Sequence, residues 1–522
     1  MTGKHQGSAR SRAVLIPLLV YGTLFAVFYP QTFASPDEAS YLANAQAIVD
    51  GDLFDRTARA LYSDAPGQGE GRFKGRTLLF PLLISPLLAI DWKVVFLFGL
   101  ACHLAVFLLV VEVFRKTDFS PWWALLVLVQ PTLTLGSRMV MTDGLGNLLA
   151  IAVVWLLLEK RNRPIAVAVI AGLGLFIRPT NLLLLVAAGV HFLVSDLKGC
   201  EPKQRGARLL KGQALRFALA SLLIGVLFLL HNWALYGGPL MTAYHSSTLV
   251  QFGVEYVIRF FPIRLLSLNV FWPFLLVAVI FLPRRIRAFG IAYVLVSLLF
   301  YSSCSAFERG HDLVSTLVRS ARYFSGPIVV LCLGYPAMVQ AALRGKKVGK
   351  VIPVLAATCC LLATTALFWK HDRFLANQQA AVEFVNQRIP PGSFVWTDSV
   401  ANELFHPVWG ECETDSIYHS YFNRRLKGVD AGHYIVWRSQ PPPRTSGQER
   451  FHQTNLYLVK ALQKHMAIEE VASSQSDGLL IFRVQAAPQE PLPPLTVSES
   501  KMWWNISREW TNPILTDSAG DS

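Results

Sequence analysis

The strongest constraint on this chain is a series of apolar runs along its first 370 residues. Each is roughly 17–22 residues long, enough to cross a bilayer as a helix. The composition agrees: 53% of residues are hydrophobic and only 16% are charged, which is not the balance of a soluble domain. The expected spans are about 13–29, 93–114, 121–136, 144–158, 164–177, 181–195, 215–232, 266–283, 288–303, 323–343 and 351–369, about eleven in all. The segment 78–90 is apolar but short and holds Pro81 and Pro86, so it reads as interfacial. The run Val14 to Phe28 has no small-residue cleavage site close behind it and reads as a retained first helix rather than a signal peptide.

The loops supply the topology. Basic residues concentrate in every second loop, at 1–12, 115–116, 160–163, 198–216, 284–287 and 344–350. Cytoplasmic loops carry that bias, so the N-terminus is expected in the cytoplasm and the intervening loops outside. The formal net charge of +14 follows from these loops. With no basic-aromatic module to accompany it, it does not point to nucleic acid. Beyond about residue 370 the composition becomes soluble. Phe374 to Ile389 and Asn455 to His465 read as helices. Phe394 to Trp396, His433 to Trp437 and Leu479 to Val484 read as strands. The expected organisation is a polytopic α-helical membrane domain over 1–370, an extracytoplasmic α/β domain over 371–485, and a weakly ordered Pro-, Ser- and Glu-rich tail over 486–522.

The residues that carry chemistry lie in the outer loops. Ser35-Pro36-Asp37-Glu38-Ala39-Ser40-Tyr41 follows the first span. It has the grammar of a helix start: a Ser cap, Pro at the first helical position and acids in the first turn. Two carboxylates at a membrane edge are also functional candidates. Arg138 and Asp143 share a short hairpin, either as a local ion pair or with Asp143 as a second acid facing the outer side. Arg178, before Pro179, either snorkels to the interface or binds an anionic headgroup. Arg322-Tyr323 is a similar case, and Arg72, Lys74 and Arg76 form a third outer basic site. These run against the positive-inside bias, and a phosphate held near the outer leaflet accounts for them. Cys304 and Cys412 are both expected outside, where a pairing is open. His311-Asp312 and His371-Asp372 lack metal-site spacing.

The order of these pieces resembles the GT-C class of polytopic glycosyltransferases, and is most similar to the branch of protein O-mannosyltransferases and bacterial aminoarabinose transferases. The pieces are Pro-Asp-Glu-x-x-Tyr after the first span, Thr142-Asp143 before the fourth, Arg178-Pro179 after the fifth, Tyr236-Gly237-Gly238-Pro239 after the seventh and Arg322-Tyr323 at the tenth. The resemblance covers about 13–370. It implies a polyprenyl-phosphate-linked sugar as donor and transfer outside the bilayer, with inversion, to a protein, lipid or polysaccharide acceptor. It implies an inner-membrane location. It makes Asp37 the general base or acceptor-orienting acid and Asp143 the second acidic site, with Glu38, Tyr41 and Arg138 supporting them. Lys74 or Arg76 falls where the family binds donor phosphate, with Arg178 and Arg322 as further phosphate contacts. Some members of the wider class use a divalent cation and others do not.

The chemistry fits. A leaving lipid phosphate calls for cations, and a hydroxyl nucleophile calls for a carboxylate. The rival readings are a transporter or flippase of lipid-linked precursors, and a non-catalytic envelope assembly protein. Transporter sites usually lie at mid-membrane, whereas these acids lie in outer loops. Asp37→Asn, expressed at the normal level, is expected to abolish sugar transfer from a polyprenyl-phosphate donor; near-normal transfer in a membrane assay would remove Asp37 from the mechanism.

Overall fold

The computed structural model describes residues 3–33, 35–51, 77–159, 163–198, 201, 205–240, 252–304, 317, 320–343, 351–397, 412–417, 421, 426, 428–438, 457–474, 478–488 and 492. Lys74, Arg76 and the His311-Asp312 pair lie outside them. The chain divides into two units. The first comprises Met1–Pro30, Arg76–Tyr244 and Phe252–Asp372; the second comprises Gln31–Gly75, His245–Gln251 and Arg373–Ser522.

The first unit is helical. Among the described residues four helices are long and apolar enough to cross a membrane: Trp92–Lys116, Pro179–Leu197, Gln213–Tyr236 and Val351–Asn386. A fifth candidate is the pair Ser325–Cys332 and Tyr335–Ala342, bent by 48°. Shorter apolar helices accompany them at Val14–Val27, Leu79–Leu88, Asp143–Leu158, Pro164–Ile177 and Arg287–Ser302. Only 6% of the Gln213–Tyr236 apolar window is buried, and Leu219, Leu222, Leu223, Leu230 and Trp233 are largely uncovered. A surface of that kind is stable in hydrocarbon, where a helix keeps its own backbone hydrogen bonds.

Three of the expected spans are not continuous helices. The run 121–136 breaks into a 3₁₀ turn Pro121–Ala124, a single turn Leu125–Leu128 and the short helix Pro131–Ser137. Pro131 lacks the N–H that would continue the ladder, and it starts a new helix capped by the Gln130 side chain. The run 266–283 holds a 3₁₀ segment, Leu275–Phe281, between Pro273 and Pro283, with Phe274 in the left-handed region at φ 61°. The bend within 323–343 falls at Gly334-Tyr335-Pro336 for the same reason. The helix expected at Phe374–Ile389 is not separate. It continues the last apolar helix without interruption from Val351 to Asn386. The polar stretch Lys370–Arg373 marks a change of surroundings, but holds no Pro or Gly to end a helix.

The core of the first unit packs Val106, Val110 and Phe114 with Val153, Val154, Val167, Ala171 and Val329. Close approach depends on Gly99, where a Cβ would lie 2.7 Å from the Ser137 carbonyl oxygen. That contact lets the Phe96–Lys116 helix lie against the hairpin leading to Asp143. Cations gather at the opposite end of the Asp143–Leu158 helix. Arg285 donates to the Leu158 carbonyl at 3.2 Å, and Lys116 and Arg163 pair with Glu159 at 3.6 and 3.4 Å.

The second unit holds a five-stranded mixed sheet, ordered β2-β1-β3-β5-β4. The strands are β1 Phe394–Thr397, β2 Glu413–Ser416, β3 Tyr434–Arg438, β4 Ala467–Ser474 and β5 Leu479–Ala486. β1 pairs parallel with β2 and β3, while β3–β5 and β5–β4 are antiparallel. The three apolar strands expected from sequence are the central ones. The two missed strands are the edges: β2 is Glu-Thr-Asp-Ser, and β4 is largely exposed. Edge strands need little apolar patterning, so they leave a weak signal. Cys304 and Cys412 are both buried. Gly99→Ala is expected to cost about 1–3 kcal/mol by overpacking. Gly136→Ala, where a Cβ meets nothing within 4 Å, serves as the near-neutral control in a detergent melting comparison.

Candidate functional site

Three chain segments of the first unit converge on Asp143. Asp143 is the first residue of the Asp143–Leu158 helix, where the helix dipole favours an acid. Arg178 ends the Pro164–Ile177 helix in an extended conformation, φ −158° and ψ 125°. Pro179 disfavours the helical region for the residue before it, so the Arg-Pro sequence turns Arg178 out of the helix. The turn is held by Asn181, whose side chain donates to the Gly174 carbonyl at 3.0 Å. A side chain at 174 would collide with Asn181, its Cβ lying 2.8 Å from the Asn181 Cβ. Arg322 lies just ahead of the Ser325–Cys332 helix.

The two guanidiniums divide the carboxylate between them. Arg178 Nη1 donates to Asp143 Oδ1 at 2.9 Å, and Arg322 Nε donates to Oδ2 at 2.9 Å. Arg322 Nη2 also contacts Met141 Sδ at 3.4 Å. Asp143 is 9% exposed at its side chain, against 20% for Arg178 and 30% for Arg322. Asp143 precedes the apolar run 144–158. Burial there pushes its carboxyl up, but Arg322 and Arg178 outweigh burial and hold it below the usual carboxylate range. Among the described residues the cluster sets two guanidiniums on one carboxylate. Tyr323 lies beneath Arg178, 5.8 Å from ring to guanidinium. Tyr301 packs against Tyr323 in a tilted pair, with ring centroids 5.5 Å apart, and hydrogen-bonds Thr180. A small pocket of roughly water size lies beside Asp143, lined by His103, Ser137, Asn147 and Ser325.

The structure therefore brings together Asp143, Arg178 and Arg322, and shows Arg178 bound to an acid rather than extended to the interface. It does not form the local Arg138–Asp143 pair. The Arg138 side chain is fully buried and turns the other way, to the Phe28 and Phe368 carbonyls and to Asp372 at 3.5 Å. Sequence reasoning missed Tyr301 and Thr180. Tyr301 sits within an apolar run, where nothing in its spacing separates it from core aromatics.

The acidic motif lies in the second unit. Ser35 is the cap of the Pro36–Asp50 helix at φ −139° and ψ 147°, and its hydroxyl accepts from the Glu38 N–H at 3.3 Å. Pro36 opens the helix, and Gly51 ends it in the left-handed region at φ 74°. Asp37 is half-buried. Glu38 and Tyr41 are buried, at 1% and 2% exposure, so Glu38 is more than a helix-start residue on a wet surface. Among the described residues no group of three or more His, Cys, Asp or Glu is arranged to hold a metal ion.

No family model matches the chain, and no curated protein matches it in sequence. In structure it has a GT-C fold. Two solved structures that share it are both of ArnT, an aminoarabinose transferase, from Cupriavidus metallidurans. The apo form superposes with a TM-score of 0.56 at 13% identity, covering 91% of this chain and 98% of that one. The form bound to undecaprenyl phosphate gives 0.57 at 12% identity, covering 92% and 99%.

Asp143→Ala leaves two cations facing each other and is expected to destabilise the first unit by about 3 kcal/mol. Because the folded carboxyl is depressed, its contribution is present at neutral pH and is lost as pH falls through and below the ordinary carboxylate range. The native-minus-Ala difference in melting temperature should therefore shrink on acidification; a difference unchanged down to that range would contradict the pairing.

Proposed function

We propose that the chain is a membrane glycosyltransferase that moves a sugar from a polyprenyl-phosphate donor to an extracytoplasmic acceptor, with inversion. The observation that carries this reading is the Asp143–Arg178–Arg322 cluster, two guanidiniums on one buried carboxylate, in a fold shared with a protein solved with undecaprenyl phosphate bound. The membrane is the inner membrane. About eleven crossings, some of them broken, put the N-terminus in the cytoplasm and the cluster and the C-terminal sheet outside. The cations around Glu159 and Leu158, at the end of the Asp143–Leu158 helix away from the cluster, support that direction.

In this reading Asp37 takes the proton of the acceptor hydroxyl as its oxygen attacks the anomeric carbon. The bond from that carbon to the phosphate oxygen breaks on the opposite face, and the electron pair leaves with the polyprenyl phosphate. Arg178 and Arg322, with Lys74 or Arg76, stabilise the charge that develops on the leaving phosphate. Asp143 holds the two guanidiniums in place before the donor arrives, so that little reorganisation is needed during transfer. Glu38 and Tyr41, packed in the first turns of the Pro36–Asp50 helix, brace Asp37.

Binding of undecaprenyl phosphate to the purified full chain in nanodiscs tests the phosphate site. Arg178→Met and Arg322→Met are each expected to weaken it about tenfold or more, as loss of a charge-assisted contact predicts. Unchanged affinity in both would sink the assignment. Mass spectrometry of lipid-linked sugars and envelope glycans in a strain lacking the protein would then identify donor and acceptor.

A further inference from the structure

We infer that Arg138 is a positioning residue that clamps two of the three points at which the chain leaves the membrane unit for the second unit. The chain leaves the membrane unit after Pro30, past its first helix, after Tyr244, and after Asp372 within the last long helix. Arg138 reaches the first and the last of these places. Its Nη2 donates to the carbonyl of Phe28, just past the end of the Gly3–Val27 helix. Its Nη1 donates to the Phe368 carbonyl at 3.0 Å, and Nη2 pairs with Asp372 Oδ1 at 3.5 Å. The guanidinium also lies over the Phe368 ring at 4.6 Å.

The surroundings are built around that grip. Phe368 is fully buried, and the edges of Tyr21 and Phe28 meet it at 6.4 and 6.3 Å. One turn earlier on the same helix, Thr364 donates to the Val129 carbonyl at 3.0 Å. Tyr21 in turn shares a hydrogen bond of 2.7 Å with Ser137, the residue before Arg138. A helix end presents unsatisfied carbonyls and a negative dipole, which a buried cation satisfies at once. The planar fork suits Arg and not Lys, because one side chain must serve two carbonyls in fixed directions. A fully buried arginine is costly unless such partners hold it. It lies beside two of these chain exits. The first exit leads within a few residues to Ser35–Tyr41. Resting on the proposed catalytic role of Asp37, the clamp therefore serves the transfer step and leaves the phosphate cluster to Asp143.

The test places spin labels at Val27→Cys and Lys370→Cys in the full chain lacking its native cysteines, in nanodiscs. The native distance distribution is expected to be single and narrow. Arg138→Met should widen it about twofold or more, with Arg138→Lys and Asp372→Asn showing smaller changes in the same direction. The rate of sugar transfer should fall about tenfold or more in Arg138→Met while undecaprenyl phosphate affinity stays within about twofold. If Arg138→Met does not fold, Arg138→Lys and Asp372→Asn carry the same comparison. An unchanged distance in the folded variants overturns the clamp. So does a loss of undecaprenyl phosphate affinity that tracks the widening, because the residue would then be a general part of the bundle. Full transfer by Asp37→Asn would overturn the catalytic reading instead, and the distance measurement would still decide the clamp.

Discussion

A single carboxylate held by two guanidiniums organises the membrane unit. Asp143, Arg178 and Arg322 come from three separate segments, and each needs the others. One cation alone beside Asp143 would leave a lone pair buried, and either arginine without the acid would face the other cation. Held together, they fix the starts of two helices and the end of a third. The helix dipole at Asp143 and the extended Arg178 before Pro179 are local devices that make this meeting place available.

Arg138 shows the same economy in another place. It is five residues from Asp143, yet its guanidinium serves main-chain carbonyls and Asp372 rather than the nearby acid. Two buried or half-buried charge clusters thus share one hairpin without sharing partners. The Tyr21–Ser137 hydrogen bond and the close Gly99 contact keep that hairpin against the first and second long helices. The exposed apolar surface of Gln213–Tyr236 carries none of these groups.

The likeness to ArnT extends over most of both chains at low identity. That combination is expected where hydrocarbon, not a specific partner, covers most of the surface. Many apolar side chains are interchangeable against lipid, while the polar residues at one end have fewer substitutes. The second unit adds a mixed sheet whose central strands are apolar and whose edges are polar, a division that keeps the sheet from pairing with other chains.

The sequence by itself determined the membrane class, most of the apolar helices, the Ser35–Pro36 helix start and the three central strands. Each of these follows from local composition, a capping pattern or a run length, which a neighbour cannot easily override. It also put Asp143, Arg178 and Arg322 on one list, because ionisable residues among apolar runs stand out. The tertiary structure decided their pairing. It chose Asp143 as the shared partner of Arg178 and Arg322, and sent Arg138 to Phe28, Phe368 and Asp372. It broke the runs at Pro131 and Pro273 and joined 351–369 to 374–386 in one helix. Those outcomes depend on which carbonyls and carboxylates lie within about 3 Å after packing, a distance that sequence separation does not encode.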